Sequence, residues 1–155
     1  MLRHSSLVVM LPVLLFATPA RSAPLANPGF EATEPAAGWT RHIYGAEPSI
    51  DLSPEAHEGR QSLQISSHEP TDSALGQEVT LTPGGWYRFT GWVKTRGLET
   101  VGAPVYGTFQ IQTPGGRSTI ATAGSHGGDS NWTPVRIVFE APADGRTRIA
   151  IFFAG

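Results

Sequence analysis

Residues 83–94 constrain the fold more than any other stretch. Pro83-Gly84-Gly85 is a turn signal, and Trp86-Tyr87-Arg88-Phe89-Thr90-Gly91-Trp92-Val93-Lys94 then alternates in character. Successive side chains of an extended strand point to opposite faces. Tyr87, Phe89, Gly91 and Val93 therefore share a core face, and Trp86, Arg88, Thr90, Trp92 and Lys94 share the other. A strand facing only water does not need two tryptophans. The second face is expected either to lie under another layer or to bind something flat and polar.

The same period recurs along the chain. Residues 61–66 place Leu63 and Ile65 on one side. Residues 75–81 place Gln77, Val79 and Leu81 together, and residues 105–112 place Val105, Phe109 and Ile111 opposite Tyr106, Thr108, Gln110 and Gln112. Pro114-Gly115-Gly116 is a hairpin turn before a short return strand over 118–122. Val135, Ile137 and Phe139 alternate in one later strand, and Ile149, Ile151 and Phe153 in the last. Residues 40–53 are ambiguous, because Ile43, Ile50 and Leu52 fit strands but Pro48 interrupts them. Polar loops are expected over 53–60, 67–73 and 124–130. With 18 Gly, 13 Pro and only 15% charged residues, turns and short strands are favoured over long helices. Strands with one apolar face each need a partner sheet, so the expectation is an all-β, antiparallel two-sheet sandwich. Leu63, Ile65, Tyr87, Phe89, Val93, Phe109, Ile111, Val135, Ile137, Phe139, Ile149 and Ile151 should be buried together. Trp39 and Trp132 are expected in that core. No fixed-period repeat points to a solenoid or propeller.

Residues 1–22 read as a secretory signal peptide. Arg3 precedes an apolar run from Leu7 to Ala17, and small residues follow as Thr18-Pro19-Ala20 or Ala20-Arg21-Ser22. The run is short of the roughly 20 residues that span a bilayer. The mature domain is expected over 23–155, secreted or periplasmic, with no membrane span. Losing Arg3 and Arg21 with the leader takes the formal charge from −2 to −4. No basic stripe is present, so nucleic acid is not an expected partner. The absence of cysteine excludes disulfides and thiolate metal sites.

Several short motifs, taken in order, carry a resemblance. They are Asn27-Pro28-Gly29-Phe30-Glu31 with Gly38-Trp39, then Ala56-His57-Glu58-Gly59-Arg60-Gln61-Ser62-Leu63, then Pro83-Gly84 with Tyr87 and Trp92-Val93-Lys94, and finally Trp132 leading to Phe139-Glu140-Ala141-Pro142. In this spacing the chain resembles carbohydrate-binding module families four and nine, jelly-roll sandwiches of the galactose-binding-domain-like type. The resemblance implies a sheet face that carries a poly- or oligosaccharide, and a structural calcium ion away from it. It implies Glu31 as a calcium ligand, helped by carbonyl groups of residues 56–59. It also implies a final carboxylate-bearing strand, which this sequence does not contain after Ala154-Gly155. Further domains of a longer protein are compatible with such a module.

Sugar binding needs flat apolar platforms for ring C–H faces and side chains that hydrogen-bond hydroxyls. Trp86, Trp92 and Tyr106 are the candidate platforms, and Arg88, Gln110 and Gln112 the candidate hydrogen-bonding groups. They converge on one surface if strands 86–94 and 105–112 belong to one sheet. Catalysis is not expected. Ser125, His126 and Asp129 sit in one loop rather than on separated elements, no Gly-x-Ser-x-Gly elbow is present, and the histidines lack metal-site spacing. The other role to weigh is a structural or protein-interaction module without sugar binding.

Overall fold

The computed structural model describes residues 5–10, 25–99 and 107–154. Its strands are β1 (Ser5–Met10), β2 (Thr40–Gly45), β3 (Ser49–Ser53), β4 (Ser62–Ser67), β5 (Thr71–Thr80), β6 (Trp86–Leu98), β7 (Thr108–Gln112), β8 (Thr119–Thr122), β9 (Gly128–Glu140) and β10 (Arg146–Ala154). One turn of 3-10 helix, Pro114–Gly116, lies between β7 and β8. The strands form two five-stranded sheets, in the orders β3-β4-β1-β6-β9 and β2-β5-β10-β7-β8. Every pairing between strands is antiparallel. The molecule is an all-β jelly-roll sandwich. Among the described residues no helix is long and apolar enough to cross a membrane.

Two-residue alternation builds this arrangement directly. The central strands turn an apolar face toward the opposite sheet, and the two faces meet in a single buried cluster. All twelve residues of the expected alternating set, and Trp39, belong to that cluster. Phe89 of β6 meets Phe109 of β7 across the sandwich, with ring centroids 6.0 Å apart. Phe30 and Trp39 close the core beside β2, at 5.6 Å. Trp132 departs from expectation. It shares the outward parity of Pro134, Arg136 and Val138 and is half-buried on the surface of β9.

Several boundaries differ from the sequence reading. The ambiguous stretch 40–53 contains two strands, with Pro48 in the connection between them. The loops expected over 67–73 and 124–130 are shorter, because β5 begins at Thr71 and β9 at Gly128. Cross-strand partners account for both extensions: Thr71 pairs Gly45, and Gly128 pairs Leu98. The largest difference is at the N-terminus. Part of the segment read as a leader, Ser5–Met10, is a strand in the middle of the first sheet, paired to β4 on one side and β6 on the other. Leu7 and Val9 point into the core and are fully buried.

Phe109→Ala removes a fully buried ring at the sheet-to-sheet contact. It should cost about 3–5 kcal/mol, read as a fall in the urea midpoint at unchanged slope.

Candidate functional site on the outer sheet faces

The expected binding residues do not share a surface. The chain passes from one sheet to the other between β6 and β7. Trp86, Arg88 and Trp92 therefore face outward from the first sheet, while Gln110 and Gln112 face outward from the second. Tyr106 lies outside the described residues. Convergence required one sheet for both strands, and the crossover places the sandwich between them.

On the first sheet, Trp92 is not an open platform. Residues 54–60 fold over it, and the His57 ring stacks on the indole at 3.8 Å and 15°. Trp132 meets the same imidazole edge-on at 5.9 Å. Glu55 secures this cover. Its carboxylate accepts hydrogen bonds from Lys94 Nζ at 2.6 Å and from Arg96 Nη2 at 3.4 Å, and Ser62 Oγ donates to its carbonyl. The Lys94 hydrogen bond holds the Glu55 carboxyl below its ordinary pKa. Farther along the sheet, Trp86 is 62% exposed and Val138 53%. Arg88 lies between them in register, opposite Val138.

The outer face of the second sheet carries a different arrangement, legible from its register. One row across it reads Thr40, Gly76, Ala150, Gln110 and Thr122. The next reads His42, Ala74, Phe152 and Thr108, and on the other side lie Glu78, Arg148 and Gln112. Tyr44, in line with Asp72, is 67% exposed. The centre is thus a floor of small residues, Ala74, Gly76 and Ala150. Tyr44 and His42 stand on one side of it, Gln110 and Thr122 on the other, and Phe152 rises from the middle strand. The absence of a side chain at Gly76 is required. A Cβ there would sit 2.1 Å from Arg148 Nε, because the guanidinium lies flat across the glycine. Arg148 is only 7% exposed. Its Nη2 has no hydrogen-bond partner among the described residues, nor has Gln112 Oε1. Gln112 Nε2 donates to Gln110 Oε1 at 2.9 Å, and Thr119 Oγ1 donates to the same oxygen at 3.0 Å. This chain of donors fixes the two glutamine side chains side by side. Burial, and then the charge of Arg148, lower the pKa of His42 and so favour the neutral imidazole beside the floor. Of this arrangement the two glutamines are legible at period two, whereas Tyr44, His42, Arg148 and Phe152 are not: Tyr44 and His42 sit in the stretch broken by Pro48, and Phe152 alternates with the inward Ile151 and Phe153.

Glu31 lies at the end of the 56–59 loop, as expected, but its carboxylate is already engaged. Arg60 N–H donates to Oε1 at 2.8 Å and Arg60 Nε to Oε2 at 3.2 Å. The hydrogen bond from the Arg60 backbone is the leading cause of its lowered pKa. Gln61 Nε2 donates to the neighbouring carbonyls of Phe30 and Ala32 at 2.9 and 3.0 Å. Among the described residues no group of three or more His, Cys, Asp or Glu side chains is placed to hold a metal ion. A cation at Glu31 would have one carboxylate, with carbonyls for the rest, and would compete with Arg60.

In the glycine-rich stretch, Asp129 Oδ1 accepts the Gly97 N–H at 2.6 Å, the neighbouring Ser130 Oγ bonds Thr95 Oγ1 at 2.9 Å, and the His126 backbone pairs with Gly107. Burial lowers the pKa of His126. Compared with known proteins, the chain matches no family model and no curated protein.

These shifts share one sign. His42 and His126 take up protons more readily when unfolded, so the folded state loses stability as pH falls through the ordinary histidine range near 6.5. Glu31 and Glu55, lowered in the folded state, lose their contributions at still lower pH. The thermal midpoint should therefore fall steadily from pH 7 to pH 4. The pair His42→Gln and His126→Asn should flatten the upper part of that profile, measured by calorimetry across pH.

Proposed function

We propose that the protein is a secreted or periplasmic, non-catalytic glycan-binding module whose ligand, a poly- or oligosaccharide, lies along the outer face of the second sheet. The observation that carries this reading is the small-residue floor of Ala74, Gly76 and Ala150 between Tyr44 and His42 on one side and Gln110 on the other. A pyranose ring presents C–H faces and a rim of hydroxyls. Tyr44 and Phe152 supply apolar surface for the first, and Gln110, Gln112, Thr122 and Arg148 supply hydrogen-bonding groups for the second. A buried guanidinium with a free N–H is costly unless something accepts from it, and a ligand oxygen over Gly76 would do so. Single-site affinity is expected in the micromolar-to-millimolar range, about −4 to −8 kcal/mol.

A glycan array on the full chain should identify the sugar. Tyr44→Ala and Phe152→Ala should then each weaken binding about tenfold or more, equivalent to about 1.4 kcal/mol, and Gln110→Ala less. Trp92→Ala should leave affinity unchanged, because its indole lies on the other sheet beneath His57. Unaltered affinity in both Tyr44→Ala and Phe152→Ala would sink the reading.

Calcium at Glu31 belongs to the same proposal as a structural ion, held by that carboxylate and by carbonyls of residues 56–59. Competition from Arg60 makes it weak in the native chain. A thermal shift between calcium and chelator should be small for the wild type and larger for Arg60→Ala, in which Oε2 loses its guanidinium partner while Oε1 keeps the backbone N–H. No shift in either protein rules the ion out.

A second reading rests on a separate observation. Trp86 and Val138 are exposed together beside Arg88 on the first sheet, a surface suited to a protein contact. Loss of a partner in Trp86→Ala with glycan binding intact would support an interaction module.

A further inference from the structure

The strand β1 has two incompatible roles. Its residues belong to the stretch with the features of a leader, and both small-residue cleavage patterns lie after it in the sequence. Cutting at either would remove Ser5–Met10. Yet this segment fills the centre of the first sheet. Leu7 pairs with Ile65 on β4 and with Thr95 on β6, and Val9 pairs with Leu63 and Val93. Without it, β4 and β6 would face each other across an empty strand's width, with the backbone N–H and C=O groups of both edges unpaired. Buried main-chain groups are almost always paired, and an open sheet edge is a template for another strand.

We propose that the slot between β4 and β6 is a strand-acceptor site, which takes an extended peptide segment of another polypeptide once the leader has been removed. The slot specifies its occupant closely. The segment must run antiparallel to both neighbours. Two inward positions, two residues apart, must be apolar, since Leu7 and Val9 are fully buried there. The floor under the first is shaped by Gly107, where a Cβ would come within 2.7 Å of Leu7 Cδ1. The intervening outward positions must be small and uncharged, because Ser6 and Val8 are also buried, at 5% and 4% exposure. Main-chain hydrogen bonds supply affinity, and the two apolar pockets supply selectivity, as in other strand-addition complexes.

The two-sided slot also decides what kind of partner enters. An occupant has to be unpaired along both edges. Each named strand from β2 to β10 already pairs on at least one side. None of them, offered by a second copy, can enter without unpairing its own sheet. An extended peptide meets the requirement with no such cost.

The test uses the full chain with a protease site introduced at residues 18–22. After cleavage, the nicked protein is unfolded in urea and refolded with excess fluorescent peptide spanning residues 5–10 with solubilising lysines. Size-exclusion chromatography and thermal melting follow. The expected result is co-elution of about one peptide per chain and a melting transition like that of the uncut protein. A peptide carrying Leu7→Asp and Val9→Asp should be retained at least tenfold less. Equal retention of the two peptides would overturn the proposal. So would a chain that loses residues 5–10 yet keeps its melting midpoint and the amide protection of β4 and β6, because the slot would then have closed on itself. A dimer that the peptide does not dissociate would make a second copy the occupant and would equally overturn it. Failure to refold with either peptide would show that the slot does not accept a strand in trans.

Discussion

The structure depends on one contact surface, the apolar layer between the two sheets. Most strands have a single apolar face to bury, so neither sheet is stable without the other. Phe89 against Phe109 marks the centre of that layer, with Leu63, Ile65, Ile149 and Ile151 around it. Everything exposed is a consequence. Once β6 and β7 turn their apolar faces toward each other from opposite sheets, their polar faces must point in opposite directions. Binding groups distributed along the chain are thereby sorted into two surfaces about a sandwich's thickness apart.

The two surfaces have received different treatment. On the first sheet, the 54–60 segment lies over Trp92, fixed by Glu55 to Lys94 and by stacking of His57. Tryptophan, cations and a polar loop pack against one another there, and the expectation that such a face is covered by a second layer holds for this part of it. On the second sheet, the middle of the face is kept low by Gly76 and two alanines, and the guanidinium of Arg148 uses the space a side chain at Gly76 would take. Hydrogen-bonding groups there remain with open valences, at Arg148 Nη2 and Gln112 Oε1. The small-residue floor flanked by the exposed Tyr44 and by Gln110 is what distinguishes this face as the better candidate for a ligand.

The N-terminal segment shows how one pattern can serve two physical ends. An apolar run with small flanking residues satisfies the requirements of a leader. The same residues, read at period two, satisfy those of a strand buried on both faces, which needs little polarity on either side. Composition alone does not separate the two, because both require burial in an apolar environment.

Fold class and core were determined by the sequence itself. Alternation at Leu63 and Ile65, at Tyr87, Phe89 and Val93, and at Ile149 and Ile151 assigns inward faces from local geometry, since a strand's side-chain period is fixed by its backbone. The glutamines at 110 and 112 were legible for the same reason, as outward partners of Phe109 and Ile111. The tertiary structure alone decided which outward faces meet. Period two says which side of a strand a residue takes, but not which sheet the strand joins. Sheet membership is set by crossovers and by cross-strand partners far apart in sequence. Hence Trp92 and Gln110 read as neighbours and lie on opposite sides of the molecule. Tyr44, Gly76, Arg148 and Phe152 are far apart in the chain and come together on one side, because antiparallel register places β2, β5 and β10 next to one another.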